Sequence, residues 1–587
     1  MWPPQRPLVQ EDDGTSAVLS LRQPAPTAAI AVRPVPRLCR EVLVRSVRYA
    51  LTLLALCSST PHAVAAAQSF DVIEADINSV QRAIAANRLT CRALVQHYLD
   101  RIAAYDQVGP TLHAIQHINA RALQEADSLD ALPRSQPRGP LHCVPVLLKD
   151  QVNTRDMPTS YGSVLFRDFV PQRDATIVER LEAAGAIILA KASMGEFAGR
   201  YVSSASGIIR NAYDPTRNPS GSSSGTGAGV AANFGLVGIG EDTGGSIRGP
   251  AAVHALVGLR PTLGLVSVHG MLPANPTQDV LGPMTRTVED AARVLDVIAG
   301  YDAKDPITAH AVGRMPTSYR TALRPDALRG RRVGVLRTRR DSTSELRNAR
   351  RDTTLSADSV RVLEAHVRER HAEYLKAAVV FDAALDTLRS LGVTVIDSVV
   401  IPPVPGRRVG NSFETEPSTN AFLAEQPNAP VRTWQDILLS GTVNPWRARA
   451  MMEYVGKTMD DADYLAVLRY RDAQRTAVLQ LMADRQLDAL VYATYDAAPT
   501  RIADDVLTNP RPNDGYGLGD NRGLSPSTGF PAITVPAGFT SDGLPIGLEI
   551  LGRAWSDDQL LAWAYAFEQH TRHRRPPTTT PPLPARR

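Results

Sequence analysis

The apolar positions of this chain follow the helical period first and then give way to unbroken runs. Residues 71–130 read as helices, with Thr90 as an N-cap ahead of Ala93, Leu94, His97 and Tyr98, and Ile102 one turn later. Residues 144–148 are continuously apolar, the mark of a strand buried on both faces, and the run ends in Lys149 and Asp150. Thr176 and Glu179 have the spacing of a capping box for a helix to Ala184. Gly185 stops that helix, and residues 186–190 form a second buried run. Further strands are predicted at 332–336, 393–399 and 530–536. Ser556 and Gln559 have the spacing of a capping box for a last helix that carries Leu560, Leu561, Ala564 and Phe567 on one face. Strand, helix and strand in this order predict an α/β fold whose sheet is covered on both faces.

Three stretches fall outside that pattern. Residues 338–375 are dense in Arg, Asp and Glu at helical spacing and predict a solvated, charged helical insertion. Residues 576–587 are Pro/Thr-rich and predict a disordered tail. At the other end, Arg45 and Arg48 precede an apolar core at 49–57, and small residues follow at 63–67. A basic region, a short apolar core and an A-x-A site make residues 1–67 a leader with a secretory signal peptide, cleaved near Ala67. The core is too short for a membrane span, which needs ~20 residues. The expectation is an exported protein, periplasmic or secreted. Cys57 as a lipid-acceptor cysteine is the alternative, although Leu56 is bulkier than the small residue such sites carry. Residues 1–40 are Pro- and Arg-rich and read as unstructured, odd upstream of a signal, so a later start codon is expected. No internal repeat is found.

Composition narrows the function. The 587 residues are 43% apolar and 21% charged, which excludes wholesale disorder and a polytopic membrane protein. The formal charge is +4, and most of it lies in the leader, where seven arginines face Glu11, Asp12, Asp13 and Glu41. The near-neutral remainder argues against nucleic acid as a partner. Four cysteines exclude a disulfide scaffold. Cys91 and Cys143 alone remain after leader cleavage, and their pairing is left open. There is no C-x-x-C pair and no H-E-x-x-H, so no metal is expected.

Candidate chemistry gathers in three places. Residues 220–229 are a Gly/Ser run, open to reading as a phosphate loop, as a nucleophile elbow around Ser223, or as a tight structural turn. No Gly-Lys-Ser/Thr follows for phosphate, and the residues before it (214–219) read as a loop rather than the strand an elbow requires. In residues 240–250, Ser246 follows Gly244 and Gly245, so its hydroxyl lies beside successive backbone N–H groups able to hold an oxyanion. Lys149 is one of five lysines in an arginine-rich chain. At the end of a buried strand a lysine loses its proton easily and can act as a base, which arginine cannot.

Together these segments resemble the amidase signature family. The matching stretches are 140–150, 221–229, 242–248 and 258–262, extended by Gly282, Pro283, Met284, Arg286, Thr287, residues 530–536, Gly547 and Leu548. The resemblance runs from about residue 70 to 575. It implies one large domain at 68–575, a mixed twisted sheet with helices on both faces. It implies a Ser–Ser–Lys triad, with Ser246 as nucleophile, Ser222 as a bridging serine with a cis peptide bond, and Lys149 as base. It also implies an oxyanion hole from the N–H groups of Thr243, Gly244, Gly245 and Ser246, with Ser223, Asp242 and Arg248 in support. Cys143 stands where the family usually has Gly, and Arg260 where Lys is frequent. The implied activity is hydrolysis of a carboxamide C–N bond through a serine acyl-enzyme, releasing ammonia or an amine, without a cofactor. Residues 552–556 and 565–569 look most like the peptide amidase branch, so the expected partner is a small-molecule or peptide amide. The alternatives are a fatty-acid or aryl-acyl amide hydrolase and, from another class, an inactive secreted binding protein on the same scaffold. Oligomeric state is not addressed by the sequence.

Overall fold

The computed structural model describes residues 70–133, 135–337, 347, 350–351, 356–406, 410–510 and 521–584. The expected leader and most of the charged stretch before residue 356 lie outside the described residues. In chain order the strands are β1 (Ile115–Ile118), β2 (Pro145–Lys149), β3 (Ile187–Ala192), β4 (Val202–Ser203), β5 (Gly207–Ile208), β6 (Val237–Glu241), β7 (Val257–Arg260), β8 (Leu281–Thr285), β9 (Arg332–Val335), β10 (Thr394–Asp397), β11 (Ala489–Ala493), β12 (Ala532–Phe539) and β13 (Pro545–Leu551). Eleven of them form one sheet in the order β1-β3-β2-β6-β8-β7-β12-β13-β11-β9-β10, and β4 pairs with β5 alone. The sheet is mixed: β3, β2 and β6 run parallel, as do β11, β9 and β10, while β8, β7, β12 and β13 join the two groups through antiparallel pairs.

The unbroken apolar runs have their cause in this arrangement. Every residue of β2, β3, β6, β7, β8 and β13 is buried. Successive side chains of a strand point to opposite faces, so both faces of the sheet are covered. The wholly buried helix Ser224–Ala231 lies against β2 and β6. A Cβ at Gly225 would stand 2.4 Å from the carbonyl oxygens of Ala114 and Ser193, so the glycines of this run permit a helix–sheet approach that no larger residue allows.

Several local expectations are corrected. Within the stretch read as helical, residues 115–118 are an edge strand, antiparallel to β3. Thr176 does not cap: its hydroxyl donates to Asp302 at 2.6 Å, and the helix Thr176–Ala183 has no side-chain cap. The Ser556 hydroxyl donates to the Arg553 carbonyl instead of capping the helix Asp557–Thr571. Thr90 does cap, accepting from Ala93 N at 3.0 Å. The helix that carries the end of the charged stretch continues beyond it. The helix Ala357–Ser390 begins solvated and then buries Ala377, Ala384, Leu385 and Leu388 against the sheet. The terminal segment is held rather than free as far as residue 581: Arg101, itself buried, donates to the carbonyls of Thr580 and Pro581 at 2.8 and 3.0 Å.

Cys91 and Cys143 are joined by a disulfide, with Cα atoms 5.3 Å apart. It fastens the first turn of the helix Cys91–Tyr105 to the residues that lead into β2. Cys143 has φ +61°, a left-handed conformation that favours glycine. Among the described residues, no helix is long and apolar enough to cross a membrane.

Candidate active site

Parallel pairing sets the site. Leu148 of β2 lies opposite Ile239 of β6. Lys149 and Glu241 therefore end neighbouring strands at the same edge, the carboxyl edge at which α/β sheets hold their ligands. Lys149 is fully buried, and its Nζ donates to Ser222 Oγ at 2.7 Å and to Glu241 Oε2 at 2.7 Å. Burial pushes the Lys149 ammonium below the ordinary lysine range, with Glu241 acting in the opposite sense. Ser222 follows a cis Gly221–Ser222 peptide bond just ahead of the helix Ser224–Ala231. Residue 221 must be glycine here, since a Cβ would fall 1.6 Å from the Arg200 carbonyl oxygen.

The chain from Glu241 to Arg248 turns around one carboxylate. Asp242 accepts from Gly245 N at 2.7 Å, Ile247 N at 3.2 Å and Arg248 Nε at 3.1 Å. Arg260 Nη1 lies 3.4 Å from the same carboxylate and also donates to the Asp242 carbonyl. Burial alone would push the Asp242 carboxyl up, but Arg248 and Arg260 hold it well below the usual carboxylate range. Arg248 is completed by Glu549, which also accepts from Tyr492 OH at 2.8 Å. These groups fix a tight turn that presents Gly244 to solvent and leaves Ser246 half-buried ahead of the helix Arg248–Ala252.

Lys149 and Ser222 are joined, as are Asp242 and Arg248, whereas the Ser246 hydroxyl has no hydrogen-bond partner among the described residues and one residue differs in role. The N–H of Gly245 donates to Asp242 and is not free for an oxyanion. Among the described residues, the N–H groups of Thr243, Gly244 and Ser246 have no protein acceptor. Ser223 is fully buried, and its hydroxyl donates to the Glu241 carbonyl at 3.1 Å. No strand runs directly into it, so the elbow reading lacks its framework. Sequence reasoning passed over Glu241, Asp279 and the Thr243 hydroxyl. Thr243 Oγ1 lies 2.5 Å from Glu241 Oε1 and 2.7 Å from Asp279 Oδ1. The signal for Glu241 was the one used for Lys149, a charged residue closing a buried run at 237–240.

Among the described residues, the one group of three with metal-ligand spacing is Cys91, His142 and Cys143. Its two sulfurs are bonded to each other, which removes both thiolates a metal would need.

The chain has relatives both in sequence and in fold. The family model described as Amidase matches residues 93–561. A probable amidase of Arabidopsis thaliana is 32% identical over 537 residues, 87% of this chain and 92% of its own. A glutamyl-tRNA(Gln) amidotransferase subunit of Symbiobacterium thermophilum is 34% identical, over 84% of this chain and 96% of its own. Among solved structures, the native peptide amidase from Stenotrophomonas maltophilia superposes with a TM-score of 0.70 at 33% identity, covering 86% of this chain and 99% of that one. The peptide amidase PAM in complex with the competitive inhibitor chymostatin gives a TM-score of 0.72, also at 33% identity, over 86% of this chain and all of that one. Matched across most of its length in sequence and in fold, this chain belongs to the amidase family.

Proposed function

We propose that this chain is a Ser–Ser–Lys amidohydrolase acting on peptide-like carboxamides outside the cytosol. The observation that carries the reading is the 2.7 Å contact between a wholly buried lysine Nζ and Ser222 Oγ. Neutral Lys149 takes the Ser222 proton, Ser222 takes that of Ser246, and Ser246 Oγ bonds to the amide carbon. The oxyanion is held by the N–H groups of Thr243, Gly244 and Ser246, each such donor typically being worth ~10²–10³ in rate. A proton returns through Ser222 to the nitrogen, the C–N bond breaks, and ammonia or an amine leaves. Water then cleaves the acyl-enzyme by the reverse relay.

A peptide-like substrate is favoured over a fatty acyl one by the cavity beside Gly244. Its volume is about 350 Å³, and its wall includes Gln278, Asn411, Tyr470, Gln474 and Asn521, polar groups suited to peptide bonds. Export is supported by the leader pattern and by the buried Cys91–Cys143 disulfide, a bond that persists in oxidising compartments. The same two features weigh against an amidotransferase role in the cytosol. Ser246 is favoured over Ser223 as nucleophile because the Ser223 hydroxyl is buried and already donates to the Glu241 carbonyl.

The test is ammonia release from N-acetyl-phenylalaninamide together with labelling by a fluorophosphonate. Ser246→Ala is expected to lose both and Ser223→Ala to keep the label. Label persisting on Ser246→Ala overturns the assignment, and an active-site-intact protein that releases no ammonia from any amide favours the binding-protein reading.

A further inference from the structure

The proposed relay ends at Lys149, but the hydrogen-bonded chain does not. Beyond the lysine stand Glu241 Oε2 at 2.7 Å, then Glu241 Oε1, the Thr243 hydroxyl at 2.5 Å from it, and Asp279 Oδ1 at 2.7 Å from that hydroxyl. Lys149, Glu241 and Asp279 are all within 2% of full burial. A hydroxyl has one proton, so Thr243 can donate to only one of its two carboxyl neighbours. The other contact is closed by a proton on a carboxyl group. Asp279 is the better holder of that proton: burial, and then the charge of Glu241, push it up to about 7. Glu241 faces the lysine through its other oxygen, Oε2, at 2.7 Å.

We infer that Glu241 is a positioning residue for the base: it holds Lys149 Nζ against Ser222 and stabilises the ammonium formed when the lysine takes the serine proton. The inference rests on the triad reading given above. The balance is simple. The Ser222 O–H bond breaks, an N–H bond forms on Lys149, and the new positive charge appears 2.7 Å from a carboxylate that neither gains nor loses a proton. Glu241 thus stands to the lysine as the buried aspartate stands to the histidine in Ser-His-Asp hydrolases. The charged groups around this pair are few. Asp242 is tied to Arg248 and Arg260, and Asp279 is reached through Thr243. Lys191 and Asp150, buried on the neighbouring strand and at the end of β2, pair with one another at 3.3 Å. The nearest unmatched carboxylate for Lys149 is therefore Glu241.

The readout is the pH dependence of fluorophosphonate labelling, which requires an activated nucleophile but no particular substrate. An anion within 4–6 Å of a titrating cation typically raises its pKa by about 1–3 units. Glu241→Gln removes that anion, so the acid limb of the labelling rate should move to lower pH by about 1–3 units. The plateau rate should fall as well, because the lysine becomes a weaker base, within the ~10²–10⁴-fold such a base contributes. Glu241→Asp, which keeps the charge, should hold the limb closer to its original position than Glu241→Gln does. If the glutamine chain does not give a cooperative melt, Glu241→Thr carries the same test with a smaller neutral side chain. An unmoved limb in a folded neutral variant overturns the inference, as does a limb that moves as far in Glu241→Asp as in Glu241→Gln. Ser246→Ala separates the two levels. Persisting label there overturns the triad reading and this inference with it, whereas lost label with an unmoved limb in Glu241→Gln overturns this inference alone.

Discussion

The Cys91–Cys143 bond ties stability to compartment, and its removal has a calculable effect. The two residues are 52 apart in sequence. In the chain-entropy treatment a loop of that size removes about 14 cal/mol/K from the unfolded ensemble, or about 4 kcal/mol at 25 °C. Unfolding a domain of about 500 residues releases about 1 kcal/mol/K near its midpoint, so the double variant Cys91→Ala/Cys143→Ala should melt about 4 °C lower. Catalysis should survive at 25 °C, because the bond fastens the entry to β2 while Lys149 closes its far end. The assay is differential scanning calorimetry on the chain beginning near Ser69, with and without reductant, beside a thiol count in denaturant. The oxidised protein should show no free thiol, and reductant should lower its midpoint without affecting the double variant. Two free thiols in protein from an oxidising compartment, or a midpoint unchanged by the double substitution, would refute both the loop argument and the support it lends to export.

Two further substitutions probe the buried charges. Arg248→Met leaves the carboxylates of Asp242 and Glu549 without their shared cation in a wholly buried setting, so denaturant titration should show a loss of about 3–5 kcal/mol. Adding Glu549→Gln should recover part of it, and a loss below about 1 kcal/mol would count against the cluster holding the turn. Asp290 tests the linkage of stability to pH. Burial pushes its carboxyl up to about 7, against an unfolded value near the ordinary aspartate 3.8. Between these values the folded state holds a proton that the unfolded state has lost, so stability from this group falls as pH rises from about 4 through 7. Asp290→Asn, which keeps an acceptor for Ile77 N, should therefore raise the melting midpoint more at pH 8 than at pH 5. An equal change at both would show that Asp290 ionises freely in the fold.

What a single sequence discloses about this fold, and what it conceals, divides by where the partner of each residue lies. β2 and β3 are legible because burial on both faces leaves its record in every consecutive residue, and Lys149 because a charge ending such a run needs a reason. The edge strand Ile115–Ile118 is not: it is four residues long, partly exposed, and its strand character comes from pairing with β3 some seventy residues away. The two misread capping boxes fail for the same cause. Thr176 and Ser556 have the right neighbours at the right spacing, but a distant carboxylate takes one hydroxyl and a preceding carbonyl the other. The tail looks free because its anchor, Arg101, belongs to a helix nearly five hundred residues earlier. At the site, the family resemblance supplies Ser222 and Ser246 from contiguous motifs. Glu241 sits next to one of those motifs and still escapes notice, because its partner is 92 residues away and appears only once β2 and β6 are side by side. The side chains that define a reaction class are therefore easier to read in one sequence than those that adjust it. The first recur in local patterns, whereas the second act through contacts that only the assembled sheet creates.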